Sequence, residues 1–386
     1  MNDLKYRRRD ANFECLRVLA MLMVIVLHYL AHGDLLPAAG VPLTGDTLLG
    51  ALLESCCIAA VNIWVLISGY FLSRTGVSLK RILRVVIEVL FYTVAITGVM
   101  FLAGRSSGTY DGAYGLIQEY LLPISSEHYW FATAYVFMYL FAPLMNKGVL
   151  ALSRKQLKFT IIGLLLWFSV IKSIVPVALA TDDYGYGFGW FLVLYLIAAY
   201  IRKYDVRILN SVRGGLLVFG ASGLLIFFLT IASHEVNRST GRLGTWLGTP
   251  FHYNFILTLT AALGLFSAFR FLRFREGLPA KLVRFLAPYT FGVYLLHEHR
   301  EIRDRWLVWI QEFIGPIPRG HAVLLIFHII SSVIIVFLAG VMVDFIRRMI
   351  FEWLARILGG TRTAARFRGL DDSIHTENGG QEEDSE

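Results

Sequence analysis

Arg17 and His28 stand eleven positions apart in the first apolar segment of the chain, flanking the ten residues Val18 to Leu27. Eleven steps of an α-helix make about three turns, so both side chains point to nearly the same face, roughly 16 Å apart along the axis. With Arg17 at a membrane–water boundary, His28 lies near the middle of a hydrocarbon core roughly 30 Å thick. Ionisable groups at such depths are costly to keep and read first as a functional site. Imidazole, whose ordinary pKa lies near neutrality, is the side chain for proton transfer there. Taken singly, Arg17 is also explained by the excess of positive charge on cytoplasmic loops, and His28 by an interhelical hydrogen bond. Their shared face and depth together favour function. Glu14, Met21, Val24 and His32 fall on the same stripe, and Glu14 stands three before Arg17, the spacing of an ion pair.

A second cluster follows the second apolar segment. It reads Ile67-Ser68-Gly69-Tyr70-Phe71-Leu72, then Ser73-Arg74, then Lys80-Arg81-Ile82-Leu83-Arg84. Arg81 and Arg84 share one face if the third helix has begun there. Two guanidiniums on the cytoplasmic side can grip a phosphate bidentately. Ordinary basic residues beside anionic lipid would have the same pattern.

The elements that carry these residues follow from composition. The 386 residues are 56% hydrophobic with a mean hydropathy of +0.60. Runs of about 20 apolar residues recur, the pattern of an all-α polytopic membrane protein. Ten spanning helices are expected, at about 12–31, 48–72, 82–103, 128–146, 159–179, 187–201, 213–232, 252–272, 284–298 and 321–345. The net charge of +8 does not indicate nucleic acid, because Lys and Arg are concentrated in alternate loops. That alternation puts both termini in the cytoplasm. The last outer loop breaks the trend with Arg300, Arg303, Arg305 and Arg319; Trp306, Trp309 and Phe313 predict an interfacial helix within it. The basic N-terminus followed by an apolar stretch resembles a secretory signal, but the nine apolar segments beyond it favour an uncleaved first helix. Residues 1–348 form one membrane domain; 349–386 are a cytoplasmic tail. From 371 onward that tail has seven acidic residues and no Lys or Arg, and is expected to be disordered. Cys15, Cys56 and Cys57 read as small buried hydrophobes.

These features together resemble the acyltransferase-three family of integral-membrane O-acyltransferases. That family carries Arg-x10-His in its first helix, matched by Arg17 and His28, and Arg-x-x-Arg after its second, matched by Arg81 and Arg84. It carries a Ser-Gly pair late in helix two, matched by Ser68 and Gly69, and commonly an acidic residue at the place of Glu14. Tyr129-Trp130-Phe131 and Tyr294-Leu295-Leu296-His297 look familiar too. The resemblance implies ten helices and transfer of an acyl group, most simply acetyl, from cytoplasmic acyl-CoA to a hydroxyl of a cell-surface polysaccharide or lipid-linked glycan. It implies a multi-pass protein of a bacterial cell membrane, with acetyl-CoA or another short acyl-CoA as substrate and no permanently bound cofactor. On that reading Arg81, Arg84, Ser68 and Gly69 bind the donor. His28 is a general base or a transient acyl carrier, and Arg17, beside Glu14, orients the donor or stabilises charge at the thioester carbonyl. Many members add a periplasmic hydrolase-like domain, absent from this sequence, so the membrane domain must handle the acceptor.

Nine of the ten histidines map to the outer half or outer loops, with Glu54, Glu127, Asp182, Asp183, Glu298 and several tyrosines. Such a polar, aromatic region suits a sugar, although histidine, tyrosine and tryptophan favour membrane interfaces in any case. His128, Trp130 and His297 are the acceptor-side candidates. No metal site is expected, since no short His-x-x-x-His pair has further ligands nearby. The intramembrane acids Glu54 and Glu88 are expected to face the bundle interior. Besides a non-catalytic membrane sensor or assembly subunit, the competing reading is a transporter or flippase for a glycolipid or anionic metabolite, which buried charges and ten spans would also suit. No inverted repeat supports it.

Overall fold

In lipid every backbone N–H and C=O must be satisfied within the protein, so long apolar runs fold as helices. The computed structural model describes residues 10–74, 78–106, 128–176, 183–205 and 210–358, together with 115, 117–124 and 126. Among these residues there are helices and turns and no strand. Eight stretches are long and apolar enough to cross a membrane: Ala11–His32, Gly45–Leu72, Leu79–Leu102, Trp130–Ala151, Arg154–Ile174, Val212–Thr240, Gly244–Phe271 and Ala322–Ile357.

They correspond to eight of the ten expected segments, and the other two differ in an instructive way. The segment at 187–201 is a helix, Phe188–Tyr204, of only 17 residues. The segment at 284–298 is broken into Leu278–Leu286, a tight turn at Ala287–Tyr289, and Thr290–His297. Pro288 sits in that turn and removes one donor from the helical ladder. The piece Thr290–His297 is about 12 Å long, too short to span alone.

We number the α-helices α1 Ala11–His32, α2 Gly45–Cys57, α3 Ala60–Leu72, α4 Leu79–Leu102, α5 Trp130–Ala151, α6 Arg154–Leu165, α7 Phe188–Tyr204, α8 Val212–Thr240, α9 Ile256–Phe271, α10 Leu278–Leu286, α11 Thr290–His297, α12 Trp306–Ile314 and α13 Ala322–Leu358. α1 is the centre, packed on α2, α3, α9, α10, α11 and α13. Its Leu16, Ile25, Tyr29 and Leu30 are fully buried, as are Ile63 and Leu66 of α3 and Trp190 and Phe191 of α7. The outer helices turn apolar side chains outward instead. Phe101 and Leu102 of α4, Phe228 of α8 and Phe327 of α13 are exposed, as a lipid solvent allows. The expected interfacial helix is α12, which buries Trp306, Leu307 and Ile310. α13 runs to Leu358, past the expected domain boundary at 348; the acidic stretch from 371 lies outside the described residues.

Two glycine contacts fix the short α11. A Cβ on Gly340 of α13 would lie 2.8 Å from the Cα of Val293, and one on Gly292 would strike the Asp344 carboxylate. Asp344 is itself the hub of a buried network. Its Oδ1 accepts from Arg347 Nε at 2.7 Å and from the Tyr92 hydroxyl at 3.0 Å, and its Oδ2 accepts from Arg348 Nε at 2.9 Å. Arg347 also donates to Glu88 Oε1 at 2.9 Å, and Arg348 donates to the Pro288 carbonyl. Glu88 thus finds its partner on α13, tying α4 to the far end of the chain. Removing one member of a buried ion network strands the others, at about 3–5 kcal/mol. Arg347→Met is therefore expected to lower the thermal unfolding midpoint in detergent sharply, and an unchanged midpoint would remove this network from the account.

Candidate active site

α1 places Arg17 and His28 on one side, as their spacing requires, but in two different cavities. Arg17 lines a wide one of about 980 Å³; His28 lines a narrow one of about 30 Å³. Trp64 of α3 and Phe291 of α11 line both, and so form the waist between them.

The wide cavity is dominated by guanidiniums. Arg17, Arg74, Arg84, Arg202, Arg347 and Arg348 line it against Asp10, Glu14, Glu88 and Glu352. Glu14 is paired with Arg17 and Glu88 with Arg347. Arg202, at the end of α7, lies 4.4 Å over the Tyr70 ring, and its buried Nε has no partner among the described residues. Of the expected Arg81–Arg84 pair, Arg84 lines this cavity. Arg81 is exposed and within electrostatic reach of Tyr135, whose hydroxyl bonds to Ser68 and which also senses Arg17. Gly69 packs closely on α7: a Cβ there would lie 3.0 Å from Tyr195 Cα and 3.1 Å from Ala198 Cβ, so a larger residue would need α3 and α7 to part by a few tenths of an ångström.

The narrow cavity is mostly apolar, walled by Met21, Val24, Val61, Trp130, Phe131, Tyr253 and Tyr294. His28 meets two residues at the end of α11. Its Nδ1 lies 3.0 Å from His297 Nε2 and 3.2 Å from Glu298 Oε1, while His297 Nδ1 lies 2.6 Å from the Val293 carbonyl. The three donor atoms lie within 4.8 Å of one another, and two histidines with a glutamate are also a donor set that binds zinc. The Trp64 Nε1 is buried without a partner among the described residues, leaving an unsatisfied donor at the waist.

Trp130 stacks on Tyr253 with ring centres 5.6 Å apart, and Tyr186 lies 4.5 Å from Trp130 and is 41% exposed. This aromatic ladder leads from the His28 cavity to the surface. His128 is set apart from it, buried with its ring 4.9 Å from that of His299. Burial holds the His299 imidazole down at about 4, so it is neutral at pH 7. Sequence reasoning missed Arg202, Arg347, Arg348, Trp64 and Phe291 as site residues, and marks Glu298 only as part of the polar outer region. Arg202 was hidden among the basic residues of a loop; the aromatic pair had no signal in an apolar background.

An all-helical bundle of membrane-length apolar helices, with a histidine between them and an arginine-lined cavity, defines a multi-pass membrane protein. The family profile described as an acyltransferase domain matches residues 10–344. The chain belongs to the acyltransferase-three family. Neither the curated proteins nor the solved structures give a match.

Proposed function

We propose that this protein transfers a short acyl group, most simply acetyl, from acyl-CoA held in the arginine-lined cavity to a hydroxyl of a cell-surface glycan or its lipid-linked precursor. The observation that carries this reading is the pair of cavities sharing one waist. The wide one, rich in guanidiniums, suits the phosphates of CoA. About 30 Å³ at His28 is room for roughly two water-sized groups, which suits a two-carbon acyl chain more than a long one. Positive charge on alternate loops supports a cytoplasmic Arg17 end, on the side where acyl-CoA is made. The aromatic ladder of Trp130, Tyr186 and Tyr253 suits a sugar arriving from the opposite side.

The sugar hydroxyl oxygen bonds to the thioester carbonyl carbon while His28 takes the hydroxyl proton. The C–S bond then breaks, and the thiolate recovers that proton as free CoA thiol. Arg17 lies roughly 16 Å from His28 along α1, so it acts on the body of the donor rather than on the carbonyl. The Trp64 N–H at the waist is the donor available to the carbonyl oxygen. Purified protein in detergent is expected to bind acetyl-CoA and release CoA thiol only when a hydroxyl acceptor is supplied. A folded protein with no affinity for acetyl-CoA would defeat the reading and bring the transporter alternative forward.

A further inference from the structure

We infer that His297 and Glu298 are positioning residues that fix the tautomer of His28 and so decide which of its nitrogens is the base; this rests on the acyl-transfer reading above. The Val293 carbonyl can only accept, so His297 Nδ1, 2.6 Å from it, carries a hydrogen. In the neutral ring, His297 Nε2 is then a bare acceptor. His28 Nδ1 faces that acceptor at 3.0 Å and the Glu298 carboxylate at 3.2 Å. A nitrogen facing two acceptors carries the hydrogen itself. Neutral His28 therefore keeps its lone pair at Nε2, the ring nitrogen left for the cavity it lines.

This arrangement does for His28 what a carboxylate does in a catalytic triad: it selects the tautomer and holds the ring. When Nε2 takes the hydroxyl proton, the imidazolium donates from Nδ1 to Glu298, whose charge offsets its own. When Nε2 returns the proton to the CoA thiolate, the neutral tautomer is restored, with one C–O bond made and one C–S bond broken. The device is anchored in the fold. Val293, whose carbonyl sets the first hydrogen, is the residue against which Gly340 packs, and the break at Pro288 frees α11 to bring His297 and Glu298 up to α1.

Wild type, His297→Gln, His297→Phe and Glu298→Gln are compared for kcat, acetyl-CoA KM, zinc content and the rate at which diethyl pyrocarbonate modifies His28, read by mass spectrometry. His297→Phe is expected to lose about 10²-fold in kcat at unchanged KM, whereas His297→Gln, which keeps a side-chain acceptor, stays within about tenfold of wild type. Glu298→Gln is expected to lose about tenfold in kcat at unchanged KM, and carries the test if His297→Phe does not fold. Modification of His28 is expected to slow in His297→Phe. Wild-type kcat in the phenylalanine variant, equal losses in the glutamine and phenylalanine variants, or KM rising in step with the fall in kcat would overturn the assignment. So would stoichiometric zinc, because His28 Nδ1 would then be a ligand without a hydrogen. If wild type binds acetyl-CoA yet transfers nothing, the acyl-transfer reading fails, and the modification rates decide the tautomer alone: equal rates in wild type and His297→Phe overturn it.

Discussion

His28→Ala is expected to bind acetyl-CoA with wild-type affinity and to transfer its acyl group about 10²- to 10⁴-fold more slowly, the range for losing a positioned general base. The separation of effects follows from the two cavities. His28 lines the narrow one, and the guanidiniums that would hold the donor line the wide one, beyond Trp64 and Phe291. A base removed from the narrow cavity leaves donor binding intact, so kcat falls and KM does not. The effect is readable as CoA thiol release with protein matched for membrane level. Undiminished transfer by His28→Ala would remove the residue from the mechanism.

Arg84→Ala and Arg202→Ala are expected to show the opposite pattern, with acetyl-CoA KM rising about 10- to 100-fold each and kcat largely kept. Each guanidinium lost forfeits charge-assisted hydrogen bonds worth about 1.5–3 kcal/mol. Arg202 is the sharper case, since its buried Nε has no partner among the described residues and its plane is set by Tyr70. Lysine at 202 should restore little, because it lacks the planar fork that stacks and donates in parallel. Titration of acetyl-CoA against each variant checks this. Wild-type KM in the Arg202 variant would move the donor site elsewhere, toward the exposed Arg81.

Much of this was legible in the sequence, for identifiable reasons. Helical periodicity alone puts Arg17 and His28 on one face, and three residues' separation predicts the Glu14–Arg17 pair. The apolar runs fix eight of the spanning helices. What sequence does not carry is long-range juxtaposition. In sequence, the outer position of His297 marks it as an acceptor-side candidate, yet in the fold it touches His28 across 269 residues of chain. Sequence marks Glu88 as an interior acid but names no partner for it; the fold supplies Arg347, 259 residues away. Gly69 lies at the α3–α7 contact, which a motif cannot show, because it records that glycine is present but not which backbone presses on it. The segment at 284–298 contains Pro288, the signal for a break, but its apolar length concealed it.

On the proposed reading acyl-CoA enters at the Arg17 end and meets the acceptor at His28. It is tested most directly in sealed proteoliposomes, with acetyl-labelled acetyl-CoA on one side and a hydroxylated glycan acceptor on the other. Orientation is read from a membrane-impermeant label on the Arg17 end. The predicted result is acetyl on the acceptor at the His28 side, with CoA thiol left behind on the Arg17 side, and no transfer by His28→Ala. Passage of intact acetyl-CoA, or of CoA together with the acetyl group, would rule out acyl transfer across the bundle and identify a transporter.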